Sequence, residues 1–150
     1  MISGGQGREV HSAAAARLGD VGQRYTSGRR ALVHALTMFT GPVTVDTIRS
    51  WQPLALSSLY RNLTVLEEAG VVRRVATHDE APRYELNEDL TEHHHHLVCT
   101  SCGLVEDFVF PPALERAVAK AGAAAGRAMD FDTAEHHLEL IGLCRGCRPG

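Results

Sequence analysis

Ser57-Ser58-Leu59-Tyr60-Arg61-Asn62-Leu63-Thr64-Val65-Leu66-Glu67-Glu68-Ala69-Gly70 decides how the front of this chain folds. Leu59, Leu63 and Leu66 fall at helical spacing and make one apolar stripe, and Gly70 suits the left-handed residue that closes many helices. Upstream, Thr26-Ser27 opens another helix with Ala31, Leu32, Ala35, Leu36 and Phe39 on one face, stopped by Gly41-Pro42. Thr44 caps a short helix from Val45 to Trp51, which Gln52-Pro53 breaks. Downstream, Val71 to Ala76 and Arg83 to Leu86 are strand-like and flank the turn Thr77-His78-Asp79-Glu80-Ala81-Pro82. Three helices followed by a hairpin is the order of a winged helix-turn-helix. Residues 1–20 are Gly- and Ala-rich. Glu9 to Leu18 predicts only a weak helix with little apolar face, after a partly mobile start.

The helix from Ser57 carries small hydroxyls at its start, Ser57 and Ser58, and then Tyr60, Arg61 and Asn62. The first turn of a recognition helix meets base edges and phosphates. Arg61 suits a guanine or a phosphate, and Tyr60 a thymine methyl or a stacked base. Arg24, Arg29 and Arg30 suit the DNA backbone or a minor groove. An ordinary amphipathic helix with solvated arginines has the same local pattern, so the DNA reading gains its weight from the hairpin and from the metal ligands behind it.

Asn87 to Glu92 is polar and acidic and reads as a hinge. Beyond it, His95 to Cys99 and Leu104 to Phe108 read as strands, Ala113 to Ala125 as an Ala-rich helix opened by Pro111-Pro112, and His136 to Leu143 as a last strand. The expected fold is therefore α+β, with a winged helix over 1–86, a hinge over 87–92 and a small α/β domain over 93–150. Charge divides along the same line: the net charge of −3 combines +2 over residues 1–86 and −5 over residues 87–150. At 150 residues the chain can bury a core without disulfides. Its 44% apolar and 22% charged composition is not that of a disordered chain, and no apolar run is long enough for a membrane span. The start, MISGGQGREV, has no secretory h-region, so a cytoplasmic protein with reduced thiols is expected.

Cys99-Thr100-Ser101-Cys102 and Cys144-Arg145-Gly146-Cys147 are two Cys-x-x-Cys turns. Each can present two thiolates from one side, and together they suit one tetrahedral, redox-inert structural Zn(II). The stretch between them has room for the helix and strand that would return the second pair beside the first. A redox dithiol or two unrelated reduced pairs are the competing readings. Glu92-His93-His94-His95-His96-Leu97 is the second signal. On a strand, His93 and His95 face one side and His94 and His96 the other, so the run can feed two metal sites. Glu115 and His136 are candidate partners for one site. His78 or Glu85, from the wing, can serve the other. A solvated His-rich loop is the plain alternative. His11 and His34 have no evident partner, which favours surface or packing roles, and His137 is expected to point away from His136.

In this order, Ser-Ser-Leu-Tyr-Arg-Asn-Leu with Leu-Glu-Glu-Ala-Gly-Val-Val, His-His-His-His-Leu-Val-Cys-Thr-Ser-Cys-Gly and the closing Cys-x-x-Cys resemble the ferric uptake regulator superfamily from about Arg24 to Cys147. That superfamily includes iron, zinc, nickel, manganese and peroxide sensors. The resemblance implies a homodimer that represses from A/T-rich palindromic double-stranded operators when its sensory site holds metal. It assigns Cys99, Cys102, Cys144 and Cys147 to structural zinc. His94 and His96 with Glu85 match the sensory site, and His78 is a candidate for a missing ligand. His93, His95, Glu115 and His136 match a second site in the dimerisation domain. Tyr60 and Arg61 match the DNA-contacting pair. Several positions depart from the family pattern. Pro42 stands where iron and peroxide regulators often have a His, Asn87 where zinc regulators often have a Cys, and Arg73 where some have an Asp. His95 stands where many iron regulators have Asp, and Glu115 requires one extra residue after Cys102. Lacking thiolate, the sensory set suits several divalent metals. Zn(II) is slightly favoured, with Fe(II) the alternative. A peroxide-sensing regulator of the same fold and a cytoplasmic zinc buffer are the other functions considered. An enzyme is not expected, because the helical His-Glu-x-x-His pattern and the Pro-Cys-x-x-Cys pattern are both missing. Nor is a membrane or a small organic substrate an expected partner.

Overall fold

Helix α1, Gly4–Asp20, is longer than the weak helix expected and has a definite inner face. Val10, Ala14 and Leu18 recur every four residues and are buried. Only two of the three are large, and they stand among alanines, so the stripe is faint in the sequence. Leu18 is fully enclosed. Leu18→Ala is expected to cost about 2–5 kcal/mol, read as a lower urea midpoint at unchanged slope. An unchanged midpoint would place α1 outside the cooperative core.

The computed structural model describes residues 4–75 and 81–149, which group into two units divided between His93 and His94. In the first unit, Thr26 caps helix α2, Ser27–Thr37, by accepting from the Arg29 backbone N–H at 3.4 Å. Strand β1, Val43–Thr44, runs directly into helix α3, Val45–Trp51, where the Thr44 hydroxyl accepts from the Thr47 N–H at 3.3 Å. Helix α4, Leu56–Glu68, holds the recognition sequence and ends before Gly70, whose φ of 68° permits the turn into the wing. Strands β2, Val72–Val75, and β3, Arg83–Leu86, pair antiparallel. β1 adds to the other edge of β3, with Val43 opposite Tyr84, so the sheet is three-stranded where a two-stranded hairpin was expected. Leu32, Ile48, Leu59, Leu63, Leu66, Val72 and Leu86 share one core with the α1 stripe. A 3-10 turn, Glu88–Leu90, occupies the expected hinge, with the Asn87 side chain accepting from the Asp89 N–H.

The second unit runs β4 (His95–Cys99), β5 (Val105–Phe108), α5 (Pro112–Ala128) and β6 (Glu139–Gly142). β4 is central, antiparallel to β5 and parallel to β6, and α5 lies in the connection that parallel pairing requires. Pro112 sits in the first turn of α5, where no backbone N–H is needed. β6 is shorter than expected: His136 lies in the loop before it, not on the strand. No helix among the described residues is long and apolar enough to cross a membrane.

Candidate metal centres and nucleic-acid interface

Four thiols meet where β4 ends. Gly103, at φ 70°, lets the chain turn so that its N–H donates to the Cys99 carbonyl at 3.0 Å. The Cys147 N–H closes the second turn on the Cys144 carbonyl at 3.0 Å, and the Thr100 N–H ties β4 to Gly142 at 2.8 Å. The sulfurs of Cys99, Cys102, Cys144 and Cys147 all lie within 4.8 Å of one another. Cys102 Sγ and Cys144 Sγ are 3.7 Å apart. A tetrahedron of thiolates bonded to zinc at about 2.3 Å has edges of about 3.8 Å, so the spacing fits four ligands of one ion and not a disulfide. Backbone N–H groups of Cys144 and Cys102 lower the Cys99 thiol to about 6. The Leu104 N–H lowers Cys102, but the sulfurs of Cys99, Cys147 and Cys144 outweigh it and push that thiol up to about 12. The quartet resists losing all its protons until a dication arrives.

The alternation of β4 separates the histidines as expected. On one face, His95 is buried, with Nε2 2.9 Å from Glu115 Oε1. His136 reaches the same carboxylate, Nε2 to Oε2 at 3.3 Å. Phe108 and Phe110 enclose the His95 ring at centroid distances of 5.5 and 5.0 Å. Glu115 comes from the first turn of α5. Burial raises its pKa, but His136 and His95 outweigh that and hold it below the usual carboxylate range. On the other face, the His94 and His96 rings lie 5.4 Å apart. Their Nε2 atoms are 3.9 and 3.7 Å from Asp107 Oδ1.

Asp107 was missed by sequence reasoning. The signal was there: antiparallel pairing of the two strands around the cysteine turn sets Asp107 opposite His96. In the first unit, Glu85 is buried on β3, and Arg73 Nε donates to it at 2.5 Å. Arg73 also reaches Glu88 at 2.6 Å, and Glu88 in turn meets His93 Nδ1 at 2.9 Å. His78 lies outside the described residues. His11 and His34, for which no partner was evident, stack on each other at 6.3 Å, and His11 Nδ1 meets the Tyr25 hydroxyl at 2.5 Å. His137 pairs with Glu135 at 3.5 Å in an exposed position.

On α4, Ser57, Tyr60 and Arg61 are exposed, Ser58 and Asn62 half-buried. The Asn62 amide lies against α2, 3.3 Å from where a side chain at Gly28 would begin. Arg29 donates to the Arg24 carbonyl at 2.5 Å and to Gln23 Oε1 at 3.1 Å, which fixes the segment leading into α2, while Arg24 itself is exposed.

Residues 20–141 match the model of the ferric uptake regulator family. The peroxide-responsive repressor PerR of Staphylococcus aureus is 28% identical over 140 residues, covering 89% of this chain and 88% of its own. The ferric uptake regulator of Helicobacter pylori, described as having three functional metal binding sites, superposes with a TM-score of 0.73 at 20% identity over 96% of this chain and 95% of its own. A zinc-bound manganese uptake regulator gives 0.64 at 26% identity over 90% and 98%.

Proposed function

Because the chain belongs to the ferric uptake regulator family, we propose that it is a metal-dependent repressor that binds A/T-rich palindromic operators as a homodimer. The observation that carries this reading is the pair of ligand clusters on opposite faces of β4, next to a four-thiol site. The quartet suits structural Zn(II). His94, His96 and Asp107, with Glu85 and His78 as the proposed ligands from the wing, form the sensory site for Zn(II) or Fe(II). His95, Glu115 and His136, with His93, form the second site. In each, neutral imidazoles and carboxylates supply the donors that divalent first-row metals take. Metal binds the DNA-competent arrangement more tightly than the open one and so shifts their balance, and operator DNA must tighten metal binding by the same factor. Leu97, Leu140 and Leu143 are exposed and line one shallow depression on or beside β4 and β6, an apolar surface that supports a second copy as partner.

Asp107 favours a second reading within the family. An all-imidazole and carboxylate site without thiolate suits Fe(II), which reacts with peroxide. On that reading, peroxide abolishes DNA binding by the Fe(II)-loaded protein and not by the Zn(II)-loaded one.

Selection of bound sequences from a random double-stranded pool, with and without Zn(II) and anaerobically with Fe(II), tests the main reading. A palindrome enriched only with metal is expected, and enrichment in no condition would refute DNA binding. Tyr60→Ala and Arg61→Ala are expected each to weaken binding to that palindrome by about 1–3 kcal/mol, with metal uptake unchanged. Normal affinity in both variants would remove α4 from the interface.

A further inference from the structure

One cation in the first unit serves two carboxylates. Arg73 on β2 donates through Nε to Glu85 at 2.5 Å and approaches Glu88 through its terminal nitrogen at 2.6 Å. The register of the wing sets Arg73 directly opposite Glu85, so the pair is built into the sheet. Glu85 is buried, and the side chains of Arg73 and Glu88 are only 20% and 13% exposed. Solvent therefore screens this pairing weakly. A guanidinium keeps its charge at every pH a protein meets. We propose that Arg73 sets the metal affinity of the sensory site by holding Glu85, the carboxylate that the incoming metal needs. The proposal rests on the assignment of Glu85 as a sensory ligand.

The physical argument is competition. A divalent cation bound to Glu85 would sit near a permanent positive charge already engaged with the same carboxylate. Binding must then draw Glu85 away from Arg73 or accept the repulsion between the two cations, and both weaken the site. Glu88 offers the displaced guanidinium somewhere to go, because it already holds the other end. The residue thus acts as a brake on affinity and sets the metal concentration at which the site fills. It is a positioning residue, since its effect on the metal passes through Glu85.

Chelator competition for Zn(II) on the full chain, with the four-cysteine site loaded, reads this directly. All proteins carry Glu115→Gln and His136→Ala, which take the carboxylate and one imidazole from the other cluster so that the titration reports the sensory site. Arg73→Gln is expected to tighten Zn(II) binding about tenfold or more, and Arg73→Lys, which keeps the charge, to stay within about threefold of the parent. The gain from Arg73→Gln must vanish when Glu85→Gln is also present. Unchanged or weaker binding in Arg73→Gln overturns the brake. If Glu85→Gln alone leaves affinity at the parental value, Glu85 is not a ligand, and the site assignment falls with the proposal. Melting of the metal-free proteins checks the fold. Should Arg73→Gln fail to fold, Glu88→Gln supplies the converse test: it removes the charge of the second carboxylate that draws on the guanidinium, so weaker Zn(II) binding supports the brake and unchanged or tighter binding overturns it.

Discussion

Replacing His94 and His96 together with alanine is expected to abolish the metal response of DNA binding and to leave the fold standing. The two rings and Asp107 form one cluster on one face of β4. Losing both imidazoles leaves carboxylates and, of the proposed imidazole ligands, only His78, a set that holds a first-row metal far more weakly. Operator affinity with metal should then fall to its metal-free value. Typical couplings between two ligands are about 1–3 kcal/mol, which corresponds to about 5- to 150-fold in affinity. The metal-free melting temperature should move by only a few degrees, because the unit's buried apolar surface comes from Val98, Cys99 and Val105, and His96, though buried, is a polar ring facing Asp107. Titrating labelled operator with the double variant, with and without metal, decides the matter. A wild-type response would sink the assignment of the sensory site.

Cys99→Ser should act on stability instead. Among its described residues the second unit has few buried apolar side chains, Val98, Cys99 and Val105, and every residue of β6 is exposed. A unit this thinly packed needs a cross-link, and the four-thiol site joins the end of β4 to the final turn. Structural zinc contributes about 10–16 kcal/mol of apparent binding energy in small zinc domains, comparable with the whole stability of a typical domain. Loss of the cooperative transition of the second unit is therefore expected, both in Cys99→Ser and in wild type after strong chelation. An unchanged melting temperature would remove the structural-zinc assignment. Acid should do the same by degrees. The Cys99 thiol is lowered to about 6. A lowered thiol contributes stability above its ordinary value and loses it as pH falls through the folded one. Protons also compete with the ion for the four thiolates, so zinc retention, followed by a colorimetric zinc indicator, should fall steadily as the pH is lowered.

The parts of this protein that were plain in its sequence are those with a local physical cause. Thr26 and Thr44 are capping residues that sit where helices start. Gly70 adopts the positive φ that a helix-to-strand turn needs. The His93 to His96 run declares two faces through strand alternation alone, and the structure sorts His94, His95 and His96 accordingly. What stayed hidden depends on pairing across the chain. β1 is two residues long and exists because β3 offers it an edge. Asp107 becomes part of a cluster only once the register of β4 and β5 is known. The buried face of α1 rests on Val10, Ala14 and Leu18 and is visible only when the core is assembled. His136 was expected on a strand and lies in a loop, yet it still reaches Glu115, because a side chain can meet a carboxylate from irregular backbone as well as from regular.

β4 has hydrogen-bonded neighbours on both of its edges. A strand clamped in that way cannot slide, so the histidine tract works by parity. The odd-numbered His95 addresses Glu115 and His136, and the even-numbered His94 and His96 address Asp107. Because all four residues are histidine, losing one would leave imidazoles at 94, 95 and 96 and cost only the one that precedes them, whereas replacing 95 or 96 removes a donor from one face alone. The donors each face presents are thus set by single side chains at fixed positions such as 95, 107 and 115, and the tract tolerates a change of length better than a change of residue.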